Sequence, residues 1–193
     1  MHRTSMTIWA AALLAAAVGL LASAVANAPW IHVAICLATT GVIVLTALRQ
    51  NRSAISGGAT ASVLASLNAR FIGYVWCWAA LAILIMYGTH VLQWREWPQF
   101  VIACALVGGL SLFTASLLHT EPPDAPIARL ARGLGAVQMA GMLIAIAGIW
   151  LDGKLLRFGR EDWGAHNVFV FGAVAIISIT VIGYLAERRA RTA

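Results

Sequence analysis

The sequence predicts an all-α fold: a polytopic membrane helical bundle of six transmembrane helices with both termini cytoplasmic. Three observations lead there. Of the 193 residues, 61% are hydrophobic and only 10% are charged. A soluble domain is about 45–50% apolar and about 25% charged, so lipid must supply part of the solvent here. Six stretches are long enough to cross a bilayer core of ~30 Å. They are about 7–26, 29–48, 71–92, 99–118, 131–150 and 165–186. Apart from Arg132 at the edge of the fifth, none contains Asp, Glu, Lys or Arg. Finally, the 13 basic residues are divided unevenly. With a cytoplasmic N-terminus, nine of them (Arg3, Arg49, Arg52, Arg70, Arg129, Arg132, Arg188, Arg189 and Arg191) fall on the inner side. Arg95, Lys154, Arg157 and Arg160 fall outside, which is the positive-inside bias.

The first stretch admits two readings. MHRTSM, the apolar core after it and Ala24-Val25-Ala26 fit a secretory signal peptide. The length of the apolar run favours an uncleaved helix, and that is the expectation here. The second stretch begins at Pro29-Trp30. Residues 49–70, RQNRSAISGGATASVLASLNAR, are expected to form a cytoplasmic link, with ASVLASLNAR as a helix on the membrane surface. In the third stretch Trp76 and Trp78 lie inside the span, against helices or lipid. HTEPPDAP after the fourth reads as a turn, and Asp124 is placed to cap the helix that follows. Residues 151–164 are the longest outer loop and lead into the sixth span. Trp30, Trp94, Trp97, Trp150 and Trp163 cluster near the outer edges, where amphipathic indoles prefer to sit. No internal repeat or domain boundary is visible, so 1–193 reads as one integral membrane domain.

Lipid tails are as apolar as Leu, so such helices associate by close packing. Small residues recur at helical spacing: Ala12, Ala16, Gly19 and Ser23; Gly108, Ser111 and Ala115; Gly141, Ala145 and Gly148. These stripes suit packing inside the bundle, and they also suit partner membrane proteins or a homo-oligomer. Gln138 is the strongly polar group well inside a span. It is expected to bridge to a neighbour such as Thr39, Ser111 or Ser178, or else to line a solute path. Cys36, Cys77 and Cys104 lie in apolar runs without a CxxC motif and read as buried thiols.

Several classes lose support. The +6 net charge is scattered in short loops, which argues against nucleic acid. No GxSxG, HExxH or phosphate loop occurs. The spans hold no interior carboxylate, which counts against an ion-coupled pump. The histidines carry the remaining chemistry. His32, His90 and His166 are placed at one depth near the outer surface, on three different spans. Neutral imidazoles at one level suit Zn or Cu, and two of them suit the axial positions of a haem b. Asp162 precedes His166 by four residues, so it can cap the sixth helix or orient that imidazole as a partner behind the ligand.

Three readings stand open. The first, and the one favoured, is a non-catalytic accessory or interaction subunit of a complex in the inner membrane of a bacterium. The second is a redox or metal protein with the outer histidine site. The third is a channel or carrier for a small neutral solute, lined by Gln138 and the hydroxyls of spans two, four and six. The residues name no reaction and no substrate.

Overall fold

A computed structural model describes residues 29–88, 97–119 and 163–192, with isolated positions within 16–26 and 126–147. The described residues form four helices: α1 (Pro29–Ser56), α2 (Ala61–Gly88), α3 (Trp97–Leu118) and α4 (Trp163–Thr192). Each holds a stretch long and apolar enough to cross a membrane. They correspond to the second, third, fourth and sixth predicted spans. The first and fifth spans fall largely outside the described residues.

α1 opens on Pro29, whose fixed φ and missing N–H suit the first helical position. It closes on a Schellman turn. Gly58 takes φ 73°, the Ala59 N–H bonds to the Ala54 carbonyl at 2.9 Å, and the Gly58 N–H bonds to that of Ile55 at 3.0 Å. Thr60 then caps α2: its Oγ1 accepts from the Val63 N–H at 3.5 Å. The connection between the two helices is thus only residues 57–60.

This corrects the expected link over 49–70. ASVLASLNAR is no helix on the membrane surface. It forms the first turns of α2, and Ala61, Ser62, Leu64, Ala65, Ser66 and Asn68 within it are buried. The reason is periodicity. Ala61, Leu64, Ala65, Asn68, Ile72 and Val75 form one stripe that runs unbroken into the membrane span. α1 does the same at its other end, where Cys36, Thr40, Ile43, Ala47 and Asn51 make one buried stripe.

α2 packs most extensively on α3, and also on α4. α4 packs on α1, while α1 and α2 touch far less. The Asn51–Asn68 contact and the Ser66–Ala115 contact fix the directions. α1, α3 and α4 all run toward the end at which α2 begins. That end is basic, with Arg49, Arg52, Arg70, Arg188 and Arg189 exposed. Trp30, Trp97 and Trp163 open α1, α3 and α4 at the opposite end, where the described residues include no Lys or Arg.

Close approach holds the α2–α3 pair. A Cβ on Gly108 would lie 2.8 Å from Cys77 Sγ and 3.2 Å from the Cys77 backbone nitrogen. A Cβ on Gly73 would lie 2.7 Å from Leu112 Cγ. The predicted stripe Gly108, Ser111 and Ala115 is buried in this seam. Gly19 of the first stretch likewise lies against α1, with Ile35 Cδ1 3.0 Å from an added Cβ. Gly141 of the fifth stretch differs: it is exposed, and an added Cβ would meet nothing within 4 Å among the described residues.

Gly108 and its neighbour Gly109 make a matched test, because an added Cβ on Gly109 meets nothing within 4 Å. Gly108→Ala is expected to destabilise the protein by about 1–3 kcal/mol through overpacking. Gly109→Ala should be neutral or slightly stabilising. Reversible unfolding in mixed micelles reads both, and equal effects would contradict the seam.

Candidate functional site

Of the expected site, the described residues include only the backbone positions of His32 and His166. His32 lies in the first turn of α1 and His166 in the first turn of α4. Their side chains lie outside the described residues, as do His90 and Asp162 entirely. The backbone nevertheless sets their register. Position 32 is one turn before buried Cys36, and position 166 is two turns before buried Ala173. The Thr40 hydroxyl donates to the Phe171 carbonyl at 3.3 Å, which levels the two parallel helices. Counting back from that bond puts positions 32 and 166 within about 5 Å of the same depth. Among the described residues, no three His, Cys, Asp or Glu side chains gather as a metal site.

Gln138 is half-buried, and its Oε1 is enclosed without a hydrogen-bond partner. None of the three expected bridges reaches that oxygen. Thr39 instead donates to its own helix, at the Ile35 carbonyl, 2.8 Å away. Other span hydroxyls do likewise. Thr46 donates to the Val42 carbonyl, Thr114 to that of Leu110 and Thr180 to that of Ile176, each at 2.8 Å. Back-bonding of this kind satisfies the hydroxyl proton within an apolar helix. Trp76 and Trp78 lie in the interior, as their place in the span predicts, and their indole N–H groups are buried without a partner. Cys36 and Cys104 are buried and Cys77 is partly so.

Buried polar side chains gather at the basic end. Asn51 is 1% exposed and Asn68 is 7% exposed. Asn51 Nδ2 donates to Asn68 Oδ1 at 3.1 Å and to the Ala47 carbonyl at 2.9 Å. The Asn68 amide presses on α4 at Gly183, where any Cβ would overlap it. Three helices meet at one amide pair. Two residues earlier on α2, Ser66 Oγ donates to the Ala115 carbonyl of α3 at 2.6 Å. Asn51 Oδ1 and Asn68 Nδ2 stay unpartnered in the protein. An unmet buried polar atom costs about 1–3 kcal/mol, so the site trades stability for a fixed contact.

Sequence reasoning missed this amide pair. Both asparagines fall among Arg and Ser residues and read as a solvated link. The usable signal was their period: each sits on the apolar stripe of its helix. Gly183 carried no signal of its own. Compared with protein families, curated proteins and solved structures, the chain shows no match.

Asn51→Ala and Asn68→Ala should each destabilise the bundle. Their double-mutant cycle is expected to show a coupling of about 1 kcal/mol, as for residues in direct contact. Coupling indistinguishable from zero would mean that the amides do not pair.

Proposed function

We propose that the chain is a non-catalytic integral membrane protein, a helical accessory or interaction subunit of a membrane complex. The observation that carries this reading is the use of the interior. Thr39 of α1 and Thr180 of α4 donate to carbonyls of their own helices, Ser66 of α2 donates to a carbonyl of α3, and small residues of α2 and α3 are spent on close contact. Such an interior holds helices together and offers a solute little to bind. Exposed Gly141 of the fifth stretch complements it. An added Cβ on Gly141 meets nothing within 4 Å among the described residues, and exposed Val137 and Ile144 lie four residues before it and three after it. Small-residue faces of this kind admit another helix.

In this reading, residues 7–26 and 131–150 supply two further crossings, and both termini are cytoplasmic. The gathering of Arg49, Arg52, Arg70, Arg188 and Arg189 at one end supports that orientation in a bacterial inner membrane. Recovery of the tagged chain from native membranes in mild detergent tests the reading. A stoichiometric membrane-protein partner is expected. Gly141→Leu should reduce its recovery about tenfold, the scale of an overpacked contact of 1–2 kcal/mol. A stable, partner-free chain that carries a neutral solute into liposomes would contradict the reading.

A second reading keeps the outer histidines. The common end and similar depth of His32 and His166 support a shared ligand, with His90 as a third donor and Asp162 behind His166. Zn, Cu or a haem b would suit that donor set. The visible spectrum and metal content of the purified protein decide it. A Soret band or bound Zn or Cu is expected on this reading, and neither would be found if the histidines only meet headgroups and water.

A further inference from the structure

Each of three lipid-facing stripes ends in arginine, and all three do so at the same end. On α1, exposed Val42 and Leu45 lead to exposed Arg49 and Arg52 at spacings of three, four and three residues. On α2, exposed Leu84, Leu81 and Tyr74 lead back to exposed Arg70. On α4, exposed Val174, Val181 and Leu185 lead to exposed Arg188. These spacings keep each stripe on one helix face. An acyl chain lying along a stripe therefore has its headgroup beside that stripe's guanidinium. Trp30 to Arg49 spans 19 residues of α1, or about 28 Å, which matches the hydrocarbon thickness.

We propose that these arginines form a collar that selects anionic phospholipids from the surrounding bilayer. A guanidinium binds a phosphate through a planar pair of N–H donors and is weakly hydrated. Zwitterionic lipids offer the same phosphate but bring their own cation to it. An anionic headgroup brings none, so its net charge is met by the collar. The apolar stripe contributes contact to either lipid equally. Selection therefore rests on charge at the stripe ends. The inference needs only that the helices face lipid, and it holds on either reading of the function.

The test uses the full chain in nanodiscs of equal phosphatidylglycerol and phosphatidylcholine. Lipids retained after gentle release are weighed by native mass spectrometry. The wild-type chain is expected to retain phosphatidylglycerol over phosphatidylcholine by about fivefold per engaged arginine. The quadruple variant R49Q/R52Q/R70Q/R188Q should lose that preference while retaining phosphatidylcholine as before. If that variant does not fold, R49Q and R52Q singly should each lower the ratio. An equal ratio in the wild-type chain, or an unchanged ratio in the variants, overturns the proposal. So does inorganic phosphate displacing phosphatidylglycerol completely, which would mark a free-anion site instead.

Discussion

Helices surrounded by lipid gain little by hiding apolar surface from one another, so their association depends on how closely the backbones can approach. In this chain that approach is set by missing side chains. Gly73 and Gly108 let α2 and α3 meet, and Gly183 admits the Asn68 amide against α4. Dispersion between closely fitted atoms then accumulates along the seam. The rest of the bundle follows from these contacts. α2 is held on α3 by the glycine seam and on α4 by the amide, and α4 carries α1.

The same constraint explains why the helices run past the membrane. α1, α2 and α4 contain 28, 28 and 30 residues, about 42–45 Å of helix against a core of ~30 Å. The surplus of α1, α2 and α4 gathers at the basic end, where polar groups can be buried near water. There Asn51, Ser66 and Asn68 add polar contacts between helices to the one that Thr40 makes deeper in the bundle. The two ends of the bundle thus differ in kind. One has tryptophans at the helix starts, and the other is fixed by amides and ringed by arginines.

Much of the membrane-buried part was legible. Charge-free length located α3 to within two residues of its start, and the spacing of Gly108, Ser111 and Ala115 identified its packed face. Helix ends were not legible in the same way. Arg49, Asn51, Arg52 and Arg70 read as solvated residues, yet Asn51 is buried, and the arginines lie on the exposed faces of helices whose opposite faces are packed. Expecting charge to end a helix is therefore what failed over 49–70. Of the expected site, only two backbone positions can be compared. The spacing of charges and spans placed His32 and His166 at one end, but helix rotation follows from packing partners. The sequence pattern of one helix does not contain those partners. Gln138 shows the same gap: its polarity within an apolar run was readable, and the enclosure of its Oε1 without a partner was not.

The central claim is that residues 49–70 are two packed helix ends joined by a four-residue turn. Amide hydrogen exchange of the chain in nanodiscs tests it most directly. The account predicts slow exchange through 49–56 and 61–70, close to that of 71–88, with fast exchange confined to 57–60. Fast exchange across the whole of 49–70 would contradict it, and would return this segment to a solvated link.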